Sequence, residues 1–203
     1  MVNRAFLAGF SKDDIDTEDK FITHIEYPLD KEYMLNLAEG CKEFAKPYKN
    51  TYRTTKRGNH NWIQTQIFND SYIKKICQDF LLYKSNIDVP EEKVLSIGGT
   101  IPNFSKEKFL TPRFYFQTPN YTLPWHTDKG SQCSINFVLS DDNKTKVLFE
   151  NDGGSIFNYK YKQAILNTSK RHSVNTFDEE RIIFKISIKE QYESFVNNCK
   201  YRK

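Results

Sequence analysis

His126 and Asp128 stand two positions apart in Leu123-Pro124-Trp125-His126-Thr127-Asp128. In an extended segment, residues two apart point to the same side, so this stretch sets an imidazole beside a carboxylate. That is two thirds of a metal site. A third ligand is expected from a distant histidine, because a closed β-barrel brings sequence-distant strands together. The chain offers three others, His24, His60 and His172. His172 lies in Ser169-Lys170-Arg171-His172-Ser173-Val174, ahead of the strand-like run Arg181–Ile188. Two imidazoles and one carboxylate on one face of an ion suit iron(II) and leave its other positions open. Two of those can take an α-keto acid and the last can take oxygen. Arg181 follows His172 by nine positions. A guanidinium grips a carboxylate through two parallel charge-assisted hydrogen bonds, so Arg181 can anchor the far end of such an acid.

The elements that must position these groups change character along the chain. Phe21–Tyr27 alternates enough for a short strand ended by Pro28; His24 is read there as structural or exposed. Asp30 is a candidate helix N-cap, followed by Met34, Leu37, Cys41 and Phe44 at helical spacing and closed by Pro47. A second helix starts near Asn69 or Asp70, with Ile73, Ile76, Cys77, Phe80 and Leu81 on its apolar face. Between the two helices lies a basic stretch, 46–62, interleaved with Tyr48, Tyr52 and Trp62. It is read as a solvated connection anchored by Trp62; the sharper alternatives are a substrate gate, with His60 as a contact, or a stacking patch for single-stranded nucleic acid.

From residue 93 the pattern turns extended. Val94–Ile97 leads into Gly98-Gly99. Strand-like runs then follow at 113–117, 122–127, 132–139, 146–150, 155–161, 163–167 and 181–188. Short strands at this spacing argue a sandwich or barrel, with Asp152-Gly153-Gly154 as one turn. Gln191–Lys203 is polar and reads as a short helix or tail. The expectation is a single domain over 1–203, mainly β with flanking helices (α+β), with helical support over about 1–92 and the β core over about 93–190.

Composition bounds the function classes. The length of 203 residues suits one domain with a sizeable core, and 15% aromatic content supports a folded chain. The formal net charge of +4 is compatible with an anionic substrate and does not demand nucleic acid. No apolar run approaches the roughly 20 residues that span a bilayer. The N-terminus turns acidic at Asp13 and Asp14 and makes a poor signal peptide. Cys41, Cys77, Cys133 and Cys199 show no C-x-x-C spacing and read as reduced thiols of a cytoplasmic protein.

The combination of Leu123–Asp128, Ser134–Leu139, Leu166-Asn167-Thr168, His172-Ser173-Val174 and Glu180-Arg181-Ile182 resembles the Fe(II)/2-oxoglutarate-dependent dioxygenases. The likeness is to their small prolyl- and aspartyl/asparaginyl-hydroxylase-like members, including phage-encoded ones acting in a host cytoplasm. It covers roughly residues 109–190. It implies a double-stranded β-helix (jelly-roll, cupin-like) core, with His126, Asp128 and His172 as iron ligands. Arg181 would bind the distal carboxylate of 2-oxoglutarate. It further implies O2 as co-substrate, ascorbate as a helper, and hydroxylation of an unactivated C–H bond with release of succinate and CO2. The aspartyl/asparaginyl hydroxylases proper lack a carboxylate ligand, so Asp128 points to the common triad; it also argues against a halogenase.

Strand alternation then nominates further contacts. Arg113, Tyr115 and Gln117 share the polar face of one strand, opposite Phe114 and Phe116; they are candidates to touch substrate or 2-oxoglutarate. Asn136 is a candidate polar contact to 2-oxoglutarate. Trp125 is expected in the core, and Lys129 and Arg171 flank the ligands. The substrate expected is an amino acid or peptidyl side chain. Nucleobase oxidation is the alternative within the family, and a non-catalytic β-barrel binding or structural protein the alternative outside it.

Overall fold

The computed structural model describes residues 20–43, 46–47, 62–66, 70–81, 112–120, 122–141, 144–175 and 178–203. Val94–Ile97, Gly98-Gly99, His60 and most of the 46–62 stretch lie outside the described residues. The described strands are β1 (Ile22–His24), β2 (Lys46–Pro47), β3 (Trp62–Gln66), β4 (Arg113–Gln117), β5 (Thr122–His126), β6 (Cys133–Val138), β7 (Lys146–Glu150), β8 (Ile156–Tyr159), β9 (Gln163–Leu166), β10 (His172–Asn175) and β11 (Arg181–Ile188). The helices are α1 (Lys31–Lys42), α2 (Ser71–Leu81) and α3 (Tyr192–Asn197).

β11 shows why the sheet forms where it does. Its residues, Arg-Ile-Ile-Phe-Lys-Ile-Ser-Ile, are rich in β-branched types that fit a pleated surface. Period-2 alternation sends Ile182, Phe184, Ile186 and Ile188 to one face and Arg181, Ile183, Lys185 and Ser187 to the other. The first set joins a core with the helices. Phe184 stands in register with Phe114 on β4 and Phe137 on β6, with ring centroids 5.5 and 5.9 Å away. Phe137 in turn meets Phe80 of α2 at 6.2 Å. The second set faces a cavity.

Two antiparallel sheets result. The larger runs β1-β9-β6-β11-β4-β3-β2 and the smaller β5-β10-β7-β8. Phe21, Ile22, Val147, Phe149, Ala164, Leu166 and Val174 fill the space between them. This is the expected β-rich jelly-roll core with helices on one outer face. The N-terminal half supplies strands as well as helices: β1 pairs with β9 and β3 with β4. Lys46-Pro47 and Trp62–Gln66 thus form an edge hairpin pair instead of a wholly irregular connection.

The helices form where the spacing places them. Asp30 caps α1, its Oδ1 accepting from the Tyr33 amide at 2.9 Å, and Met34 and Ala38 are buried. In α2, Ile73, Ile76, Cys77 and Phe80 are all buried. The C-terminal segment is less polar in effect than its composition suggests. Tyr192, Phe195 and Val196 of α3 are buried, and the Tyr192 hydroxyl hydrogen-bonds Thr23 across the fold at 2.8 Å. All four cysteines are free thiols, as expected. Among the described residues no helix is long and apolar enough to cross a membrane.

Phe184 is fully buried between two rings of neighbouring strands. Phe184→Ala is therefore expected to cost about 3–5 kcal/mol of stability, the range for emptying a packed aromatic site. Urea unfolding would show this as a lower midpoint at unchanged slope; a loss under 1 kcal/mol would mean that this face is loosely packed.

Candidate metal centre

β5 and β10 pair antiparallel at one end of the smaller sheet, with His126 directly across from His172. Pro124 is tolerated in β5 because that strand is an edge. The register slips between His172 and Val174, an irregularity of the kind that re-aims side chains beside functional sites. Ser173 spans it by donating to the Leu123 carbonyl at 2.8 Å. The two imidazole rings come within 4.3 Å, centroid to centroid.

Beyond β5 the chain turns through Gly130, whose φ of 87° is a left-handed conformation that glycine adopts freely. Before the turn, the Asp128 amide donates to the Thr168 carbonyl at 2.9 Å. That bond ties the carboxylate-bearing residue to the link between β9 and β10. Asp128 Oδ1 lies 3.4 Å from His126 Nε2 and 4.0 Å from His172 Nε2. The ligand atoms of the three residues all fall within 4.8 Å of one another. His24, by contrast, sits on β1 paired with Ala164 and is not part of this group.

Both histidines are oriented by the same device. His126 Nδ1 meets the Pro124 carbonyl at 2.8 Å, and His172 Nδ1 meets the Lys170 carbonyl at 2.9 Å. A carbonyl only accepts, so each Nδ1 carries the proton and each Nε2 is turned toward Asp128. Metal-binding histidines are commonly held this way. Burial, followed by the His126 ring, pushes the His172 imidazole down to about 4; it is neutral and ligand-competent at neutral pH. Burial works against ionisation of Asp128, but the Lys185 ammonium and the His126 ring outweigh it. Together they hold the carboxyl well below the usual carboxylate range. Two imidazoles and one carboxylate form a donor set that can hold a divalent ion.

The triad opens into a cavity of about 150 Å³. Arg113, Tyr115, Lys129, Asn136 and Arg181 line it as well. Arg181 is 2% exposed, and its guanidinium lies over the Tyr161 ring at 5.3 Å. Asn136 donates to the Tyr161 hydroxyl at 3.1 Å, and its buried Oδ1 has no hydrogen-bond partner among the described residues. Gln117 is fully buried and stands outside the cavity wall. Trp125 is half-exposed and not in the core; the Arg171 guanidinium covers it at 5.5 Å while also pairing with Glu150.

Sequence reasoning missed Lys185, which also lines this cavity. Its Nζ donates to Asp128 Oδ2 at 2.7 Å and lies 5.9 Å from the centroid of the Tyr115 ring. The alternation that begins at Arg181 reaches Lys185 two inward positions later, so the signal was available. Tyr161 was missed too; it closes the run expected as a strand over 155–161, but β8 ends at Tyr159 and leaves Tyr161 in the short link to β9.

Solved structures share this architecture. A prolyl hydroxylase from Trichoplax adhaerens, in complex with a hypoxia inducible factor oxygen degradation domain peptide fragment, aligns over 92% of this chain and 96% of its own, at 11% identity and a TM-score of 0.57. A Pseudomonas putida prolyl-4-hydroxylase aligns over 87% of this chain and 97% of its own, at 14% identity and a TM-score of 0.51. The chain has the fold of these hydroxylases. An oxidoreductase of the 2OG-Fe(II) oxygenase family from Burkholderia pseudomallei is spanned over only 42% of its length, at a TM-score of 0.36. No protein-family model and no curated protein matches the sequence. At these identities the likeness establishes the fold, and the site must speak through its own side chains.

The buried, neutral His172 carries a pH signature in the metal-free protein. Its folded pKa is depressed from 6.5 to about 4, so below pH 6.5 the unfolded chain binds a proton that the folded chain refuses. The associated stability is full above pH 6.5 and is lost as pH falls toward 4, by roughly 3 kcal/mol. Urea midpoints at pH 7, 5.5 and 4 should fall more steeply for the native chain than for His172→Gln. Parallel profiles would mean that His172 is not held neutral by the fold.

Proposed function

We propose that the protein is an Fe(II)- and 2-oxoglutarate-dependent dioxygenase that hydroxylates an unactivated C–H bond, with an amino acid or a peptidyl side chain as substrate. The observation that carries this reading is the meeting of His126, Asp128 and His172 with the buried Arg181 around one cavity. The donor set fits iron(II), having two imidazoles, one carboxylate and room for further ligands. His126, Asp128 and His172 are the proposed ligands. Once bound, iron and 2-oxoglutarate would supply the means to reduce O2, one of its oxygen atoms going to succinate with loss of CO2 and the other to the product.

The protein's own residues orient and select. Arg181 offers its guanidinium to the distal carboxylate of 2-oxoglutarate, and the Tyr161 ring beneath keeps it in place. Asn136, with its buried carbonyl oxygen and an amide shared with Tyr161, is proposed to fix the co-substrate's orientation. Arg113 and Tyr115 stand on the neighbouring strand as further contacts. The cavity wall has four cationic side chains, Arg113, Lys129, Arg181 and Lys185, against the single carboxylate of Asp128. That balance favours anionic guests such as a dicarboxylate. The apolar wall residues, Leu123, Val147, Leu166 and Val174, exclude water from one side of the site. A peptidyl substrate is in keeping with a fold shared with a prolyl hydroxylase that takes a peptide fragment. The nucleobase alternative drew on the 46–62 stretch, most of which lies outside the described residues, and no feature of the described cavity favours it.

The test is succinate formation from 2-oxoglutarate with added Fe(II), which often proceeds without the primary substrate. His126→Ala, Asp128→Ala and His172→Ala should each bring it to background. Arg181→Ala should weaken 2-oxoglutarate binding by about 1.5–3 kcal/mol, the worth of a charged hydrogen-bonded contact. Calorimetric titration with Mn(II) in place of iron reads the metal site independently of turnover. Native protein that binds no divalent metal would sink the proposal, and unchanged 2-oxoglutarate affinity in Arg181→Ala would remove that residue from it.

A further inference from the structure

The two oxygens of Asp128 face different partners. Oδ1 looks toward both imidazole nitrogens, at 3.4 and 4.0 Å. Oδ2 is taken by the Lys185 ammonium at 2.7 Å. The pair is largely enclosed, with side chains 18% and 15% exposed, so the bond is little screened by solvent. Lys185 reaches it from β11, in register with Arg113 on one side and Asn136 on the other, and the Tyr115 ring flanks its ammonium. The lysine belongs to the larger sheet, whereas the histidines belong to the smaller one. The carboxylate therefore sits where the two sheets meet.

We infer that Lys185 is a positioning residue that restricts Asp128 to one-oxygen ligation. This inference rests on the metal-site reading above. A carboxylate can bind a metal through one oxygen or through both. Two-oxygen binding by Asp128 would use up a coordination position. On an octahedral ion with two histidines it would leave two positions, enough for a chelating keto acid and none for oxygen. With Oδ2 committed to an ammonium, only Oδ1 is presented to the metal, and three positions remain. A ligating carboxylate is commonly hydrogen-bonded in its turn; here the partner is a full charge from the opposite sheet.

Cobalt(II) is the probe, because its visible absorption reports how many ligands surround it. The native protein, K185M and K185R are loaded with Co(II) and titrated with 2-oxoglutarate. K185M is expected to show altered band positions and intensities before the acid is added. Its Co(II) affinity is expected to fall by about 10–100-fold, the usual scale for loss of a residue behind a ligand, while the acid still finds the two positions it needs. K185R keeps a charged donor and should restore the native spectrum. If K185M does not fold, K185Q replaces it and should give the same spectral change, because it lacks the charge. An unaltered spectrum and unaltered Co(II) affinity in the charge-removed variant would overturn the inference while leaving the metal site standing. Failure of the native protein to bind Co(II) would overturn both.

Discussion

The antiparallel pairing of β5 with β10 is the constraint on which the site depends. It puts His172 opposite His126 although the two are 46 positions apart in the chain. Neither histidine is then left to find its own rotamer. Each is bound through Nδ1 to the backbone carbonyl two residues before it. This local bond fixes which nitrogen faces inward wherever the strand goes. Register supplies proximity and the carbonyls supply orientation, and both come from main-chain geometry. The donor set is consequently as rigid as the sheet that bears it.

β11 has to satisfy two environments at once. Its outer residues join the aromatic cluster under the helices, and its inner ones carry Arg181 and Lys185 into the cavity. Burying such cations is costly unless they are paired or solvated by fixed dipoles. The Tyr161 ring beneath Arg181 and the Asp128 carboxylate against Lys185 provide that compensation. The apolar face offsets the remaining cost. Full burial of an Ile or Phe side chain contributes about 1.5–3 kcal/mol, and the outer face of this strand buries four such residues. An alternating sequence lets one strand stabilise the fold and furnish the site together.

The meeting of His126, Asp128 and His172 was legible because its signals are local and chemical. A period of two makes His126-x-Asp128 a same-side pair without any tertiary knowledge, and histidines are scarce enough for His172 to stand out. The runs at 113–117, 146–150 and 181–188 became strands with the same bounds, since each keeps apolar residues at every second position. β10 was harder to see. Its four residues follow Ser-Lys-Arg, which reads as a turn, and only pairing with β5 and β7 on both sides makes it a strand. Pro47 read as a helix stop, whereas tertiary contact with β3 draws it into an edge pair. The charges of 191–203 left that segment open between a short helix and a tail, although Tyr192, Phe195 and Val196 recur at helical spacing. Trp125 shows the converse error. Alternation correctly turned it away from His126, but behind an edge strand that direction leads to the surface and to Arg171 rather than to a core.

Lys185 carries a broader consequence for how such a centre is assembled. A small metallo-domain that lacks a preformed site couples metal binding to folding. Here contacts within the fold hold the donors. The histidines are held by carbonyls, Asp128 is tied to Thr168 through its amide, and its charge is balanced by an ammonium. Removing that ammonium would leave a largely buried carboxylate without its hydrogen-bonded counter-charge, a costly state. The lysine thus lets the protein fold with its carboxylate ionised and waiting. A cation taken up there, as proposed, would meet a carboxylate already charged and already turned toward both imidazoles.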